Sequence, residues 1–199
     1  MKKIFLLSTM IIIAMTLNAQ YKVGFIITPA GYNEVFQKIG LDGAPSYSGD
    51  GFYTFGITCQ FPVVSCLDME IGLDYSKHTI EITPNLPPDP DNIPNNIPYK
   101  SSLNLISIPI TLKIDFLKYL FVNGGCLLDI DTNSSSPIYN QTGLGAILGL
   151  GIKYDFSFGG TIFVNPYLKG HSLVPFSPGN YHERLFESGI RIGFLYNLF

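Results

Sequence analysis

Apolar and polar residues alternate with a period of two along most of the chain after residue 20. The clearest stretch is 66–80, where five alternate positions are apolar and the positions between them include Asp68, Glu70 and Asp74. Successive side chains of a β-strand point to opposite faces, so this alternation predicts strands rather than helices. Eight such segments occur, at 21–28, 52–61, 66–80, 106–115, 120–131, 143–155, 161–172 and 189–198.

The connections between these segments alternate in length. Long connections at 29–51, 81–102, 132–142 and 173–188 are separated by short ones at 62–65, 116–118 and 156–160. An even number of strands, with short turns at one end and long loops at the other, is typical of bacterial outer-membrane proteins. We therefore predict an all-β fold, an eight-stranded antiparallel up-and-down transmembrane β-barrel in the outer membrane with periplasmic termini.

The first 19 residues have the features of a secretory signal peptide. Lys2 and Lys3 precede an apolar run at 4–17, and Ala19 supplies a small residue for cleavage. The apolar run is shorter than the roughly 20 residues that a membrane-spanning helix needs. We expect residues 1–19 to be removed on export and residues 20–199 to form the barrel domain.

Composition and charge argue against a nucleic-acid partner. The 199 residues are 46% hydrophobic and 14% charged, with a formal net charge of −3. No basic stretch follows the N-terminus, so a nucleic-acid partner is not expected. The expected surroundings are outer-membrane lipid and lipopolysaccharide, with the barrel assembly machinery needed for insertion and an envelope protein as a further partner.

Several segments resemble the small outer-membrane β-barrel family of Bacteroidota, which is also labelled the porin or PorT-like family. The similar segments are LNAQ at 17–20, ISIPITLK at 106–113, VNGG at 122–125, the glycine-rich strand at 143–154 and the terminal segment at 193–199. The resemblance implies an outer-membrane barrel with a structural or surface-interaction role through its long loops. It also allows an accessory role in an envelope or secretion assembly.

Charges of both signs occur on the face that the barrel would turn inward. Eight strands leave an interior that side chains can just fill, so opposite charges there would neutralise one another and close the lumen. A path for ions, as in a narrow porin, is the alternative. The predicted network consists of Asp68, Glu70, Asp74, Asp129, Lys113, Lys153, Lys169 and Arg191.

An enzymatic role is a second alternative, because some eight-stranded outer-membrane barrels are lipid A deacylases with a His and a Ser near the outer rim. His171 and Ser172 are adjacent, so in a regular strand they would point to opposite faces. We therefore predict no catalytic site, and no metal or cofactor either. Cys59 and Cys66 flank the first short turn in opposite phase, which disfavours a disulfide between them.

Overall fold

The computed structural model describes residues 21–37, 44–85, 97–177 and 183–198. The predicted signal peptide at 1–19 lies outside these residues. Within them the chain forms eight strands: β1 (Lys22–Gln37), β2 (Ser46–Val64), β3 (Leu67–Thr83), β4 (Tyr99–Phe116), β5 (Leu120–Asp131), β6 (Gly143–Asp155), β7 (Gly160–Pro175) and β8 (Glu183–Asn197). No helix in the described part of the chain is long and apolar enough to cross a bilayer.

The strands form a closed barrel in sequence order, and every neighbouring pair is antiparallel. Closure is made by β1 and β8, which pair from Lys22 and Asn197 to Gln37 and Glu183. The predicted eight-stranded up-and-down barrel is thus confirmed. Its exterior carries an apolar band, which includes Phe25, Ile57, Leu73, Ile110, Leu148 and Leu168.

Aromatic side chains ring the end of the barrel that carries the short turns. Tyr119 stacks on Tyr154, which also contacts Phe156, and Phe156 stacks on Phe158. Tyr and Phe at this position form the interfacial girdle of membrane barrels. The apolar band and this girdle match a bilayer, so the barrel spans the outer membrane.

Three predicted long loops are shorter than expected because the strands continue into them. β1 extends to Gln37 and β2 begins at Ser46, although residues 29–51 were expected to form a loop. The β1 register shifts between Thr28 and Gly31, so the alternation of inward and outward residues is interrupted there. A bulge of this kind ends the period-two pattern in the sequence without ending the strand.

Side chains fill the lumen in layers. A cluster near the outer mouth contains Val35, Ile80, Ile82, Leu103, Leu105, Leu185 and Ile138, the last of which comes from the connection between β5 and β6. A second apolar cluster, nearer the short turns, consists of Ile26, Phe121, Phe163 and Leu195. Charged and polar side chains occupy the space between them.

Candidate functional site: the buried charge cluster

The layer between the two apolar clusters holds most of the charged residues predicted to face inward. Six of the eight are almost fully buried: Glu70, Asp74, Lys113, Asp129, Lys169 and Arg191. Asp68 and Lys153 are only partly buried. We use the name buried charge cluster for Glu70, Asp74, His78, Asp129, Lys169, His171, Glu187 and Arg191, which the contacts below connect.

Two cations of this cluster pair with carboxylates on distant strands. A guanidinium nitrogen of Arg191 on β8 lies 2.9 Å from Glu70 Oε1 on β3. Lys169 Nζ on β7 lies 3.3 Å from Asp74 Oδ2 and 3.2 Å from Glu187 Oε1. The pairs with Glu70 and Asp74 cross the lumen, since β3 is not a neighbour of β7 or β8 in the barrel, whereas Lys169 and Glu187 lie opposite each other on neighbouring strands.

The predicted network is incorrect in three of its partners. Asp129 contacts His171 rather than a lysine or arginine, with Oδ1 3.1 Å from the imidazole Nδ1. Lys113 donates a hydrogen bond to Gln60, and its ammonium lies 4.5 Å from the centre of the Phe121 ring. Gln60 donates in turn to Asp68, so the amide lies between two members of the predicted network.

Lys153 is the third departure from the prediction. Its ammonium group pairs with Asp115 and lies 3.7 Å from Asp155 Oδ2, near the short turns. It lies at the end of β6, where the side chain reaches the rim of the barrel instead of its centre. Its charge therefore does not contribute to the buried charge cluster.

Glu187 is the most connected carboxylate of the cluster, and the sequence prediction omits it. Its Oε1 accepts a hydrogen bond of 3.1 Å from the Tyr167 hydroxyl and lies beside Lys169. Its Oε2 lies 3.4 Å from His78 Nε2 and 3.3 Å from His171 Nε2. It was missed because 173–188 was assigned to a loop, although Leu185, Glu187 and Arg191 keep the inward phase of a strand.

The expectation that His171 and Ser172 point to opposite faces is wrong. Both side chains are fully buried in the lumen. Leu144 pairs with Val174 and Ala146 with Gly170, so three residues of β7 lie opposite Gly145 alone. Ser172 adopts a positive φ of 46° in this bulge, which turns its side chain inward beside that of His171.

No Ser–His–acid relay is formed by the described residues. His78 Nε2 contacts Ser76 Oγ at 3.0 Å, but Glu187 approaches the same nitrogen, whereas a triad holds its acid on the other one. The Ser172 hydroxyl has no hydrogen-bond partner in the described part of the barrel. The pair at 171–172 also faces the lumen, away from the lipid that a deacylase would have to reach.

No protein-family model matches the sequence, and no curated protein matches it either. Among solved structures, the chain is similar to the outer membrane protein OprG from Pseudomonas aeruginosa, with a TM-score of 0.53 and 11% identity over 89% of this chain and 94% of that one. A second similar structure is the outer membrane protein AlkL in DMPC bilayers, with a TM-score of 0.44 and 11% identity over 88% of this chain and 90% of that one. The likeness to OprG shows that the chain has the fold of an outer-membrane β-barrel.

Proposed function

We propose that this chain is a closed outer-membrane barrel that holds an extracellular protein-binding surface and has no catalytic activity. The layered filling of the lumen supports this role. Leu103, Leu105 and Leu185 are fully buried at the outer mouth, and Ile138 packs against them from the β5–β6 connection. An apolar layer above a layer of paired charges leaves no continuous polar route for a hydrated ion.

Unequal strand lengths give the barrel a raised extracellular wall. β2 and β4 have 19 and 18 residues, whereas β5 and β6 have 12 and 13. About 9–11 residues suffice for a tilted strand to cross the bilayer. The β1–β2 and β3–β4 hairpins therefore project past the membrane, while the β5–β6 pair ends near its surface.

The projecting part of the wall combines an ion pair between its strands with exposed apolar groups. Lys100 on β4 donates a hydrogen bond of 2.6 Å to Asp50 on β2, and this bond raises the pKa of Lys100 above its usual value. Tyr32, Phe36 and Tyr99 are each more than half exposed on the outer surface. Large exposed apolar side chains on an ordered sheet favour a protein partner.

The PorT-like family of Bacteroidota and an accessory role in an envelope or secretion assembly belong to the same proposal. The support for them is the sequence resemblance at 106–113, 122–125 and the terminal strand. A partner from the cell envelope would contact the raised wall, while lipid and lipopolysaccharide surround the apolar band. Insertion would use the barrel assembly machinery, as for other outer-membrane barrels.

Conductance and crosslinking test the two halves of this proposal. We expect the purified protein in planar bilayers to give no steady current steps, after its insertion has been checked by its heat-dependent mobility on a gel. We expect a photoreactive residue at Tyr99 to form a discrete protein adduct in native membranes, whereas one at the lipid-facing Ile110 forms none. Large steady steps, or no adduct at either Tyr99 or Tyr32, would contradict the proposal.

A further inference from the structure

Three potential metal-ligand atoms converge at the centre of the buried charge cluster. They come from His78 on β3, His171 on β7 and Glu187 on β8, and one donor atom from each lies within 4.8 Å of the other two. All three side chains are fully buried. Neither His171 Nε2 nor Glu187 Oε2 makes a hydrogen bond of good geometry within the described residues, so two buried polar atoms point at the same place.

The spacing of these atoms suits a tetrahedral metal ion. Zinc binds imidazole nitrogen and carboxylate oxygen at roughly 2.0–2.2 Å, which places two ligands of a tetrahedron about 3.4 Å apart. Glu187 Oε2 lies 3.4 Å from His78 Nε2 and 3.3 Å from His171 Nε2. Charge-assisted hydrogen bonds between these groups would be shorter, at about 2.7–2.9 Å.

A second layer of contacts already orients His171. Its other ring nitrogen, Nδ1, lies 3.1 Å from Asp129 Oδ1, so the carboxylate stands where the carboxylate–histidine–metal arrangement needs it, although the hydrogen bond is not well aligned. Asp129 accepts hydrogen bonds from the Ser107 hydroxyl at 2.5 Å and from the backbone N–H of Ser172 at 3.3 Å. The β7 bulge therefore positions both His171 and the amide that holds its carboxylate partner.

Glu187 and His78 are held in a similar way. Lys169 Nζ and the Tyr167 hydroxyl both contact Glu187 Oε1, which leaves Oε2 facing the two imidazoles. The ring of His78 stacks on Phe52 with centroids 5.0 Å apart. The hydroxyl of Ser76 lies 3.0 Å from His78 Nε2, the nitrogen that would bind the ion.

The charge balance of the cluster also favours a divalent cation. The four carboxylates of Glu70, Asp74, Asp129 and Glu187 face only two fixed cations, Lys169 and Arg191, which leaves −2 with both imidazoles neutral. Uncompensated charge in the interior of a protein is costly. One divalent ion would neutralise the cluster.

We propose that His78, His171 and Glu187 bind one divalent transition-metal ion, preferentially Zn²⁺, inside the barrel lumen. Two imidazoles and a carboxylate form a donor set that suits zinc. The ion connects β3 with β7 and β8 across the lumen and acts as a structural crosslink. This inference does not depend on the proposed extracellular role.

The three ligand side chains are fully buried, so the experiment loads the site during folding. The mature chain, without a polyhistidine tag, is refolded from urea into detergent micelles with Co²⁺ or Zn²⁺ and then freed of unbound metal. We expect one equivalent of Co²⁺ with the visible absorption of a tetrahedral site, and a higher unfolding temperature with Zn²⁺ than without it. Thiolate-to-cobalt charge transfer would instead indicate binding by the free cysteines and would count against the proposal.

Four variants locate the bound ion. His78→Gln and His171→Gln should abolish the cobalt spectrum, while His182→Gln, which changes the third histidine of the chain, should retain it. Asp129→Asn should weaken binding by about 10–100-fold, because it loses the carboxylate that orients His171. Folding of each variant is checked by heat-dependent gel mobility.

Two results would overturn the proposal, and both come from protein that has folded. One is a refolded wild type that binds no stoichiometric Co²⁺ and gains no thermal stability from Zn²⁺. The other is an unchanged cobalt spectrum in a folded His171→Gln barrel. In either case the cluster would be neutralised by protons on the imidazoles. Neither result would change the expected conductance, so failure of the metal-site proposal is distinguishable from failure of the closed-barrel proposal.

Discussion

Asp129 on β5 and His171 on β7 contact each other across β6, at the position where β6 carries Gly145. A Cβ atom at Gly145 would lie 2.4 Å from the backbone oxygen of Gly170 and 2.8 Å from Asp129 Oδ2. The absence of a side chain is therefore a requirement for this contact. The inward glycine at this position makes room for the cluster.

Gly145→Val should accordingly destabilise the barrel. Overpacking of a filled interior costs about 1–3 kcal/mol, and here the added group meets both backbone and a buried carboxylate. Urea titration in lipid vesicles would measure the loss in unfolding free energy. Ala146→Val, one residue along and on the exposed face, is the control and should change it little. Equal effects of the two substitutions would show that Gly145 is not a point of close approach.

Arg191→Met should lower the free energy of unfolding by about 3–5 kcal/mol, because it leaves the buried Glu70 without its cation. Adding Glu70→Gln to this variant should restore part of the loss. Lys22→Met is the matched control: its ion pair with Asp155 is partly exposed at the barrel rim, where such pairs contribute about 0–1 kcal/mol. A loss at Arg191 no larger than at Lys22 would mean that the buried pair contributes little.

The cost in unfolding free energy of a charge introduced on the outer face should depend on its depth in the membrane. Ile110→Arg, within the apolar band, is expected to cost about 2–4 kcal/mol through burial of charge in hydrocarbon. Phe116→Arg, at the last residue of β4, should cost about 0–1 kcal/mol. The two values come from the same vesicle titration, and similar costs at both depths would argue against the assigned position of the bilayer.

Native cysteines offer a test of orientation. All three are free; Cys66 is exposed in the β2–β3 turn, and Cys126 is exposed on the outer face of β5. A membrane-impermeant maleimide should modify Cys66 only after the outer membrane is disrupted, whereas a cysteine introduced at Ile97 should react on intact cells. Cys126 should stay unmodified in the bilayer. Labelling of Cys66 on intact cells would reverse the proposed orientation.

The strands that were predicted most accurately are those with uninterrupted alternation. β6 has the predicted bounds, 143–155, because its outward residues are apolar and its inward residues small, apolar or, near the rim, charged, and the two sets alternate over its whole length. β8 was predicted to begin at 189 and begins at Glu183 instead. Its first six residues come in like pairs, polar at 183–184, apolar at 185–186 and polar at 187–188, so they show no period-two alternation.

The buried charge cluster was also predictable only in part, but the reason differs from that for the strand bounds. Phase along a strand indicates which residues face the lumen, and it identified Glu70, Asp74, Lys169 and Arg191. It does not indicate which residues meet across the lumen, because that depends on the shear of the closed barrel. Ser172 could not be placed at all, since its inward position results from a bulge that locally reverses the alternation of β7.

The distribution of the buried charges along the chain has a consequence for folding order. Arg191 and Glu187 belong to the last strand, and their partners Glu70, His78, Lys169 and His171 come from β3 and β7. Pairing of β1 to β7 in succession thus leaves Glu70 and His78 without these partners until β8 closes the barrel onto β1. The contacts of β8 with β3 across the lumen are gained only in the closing step, so we expect them to make a half-inserted barrel less stable and the transition to the closed form more cooperative.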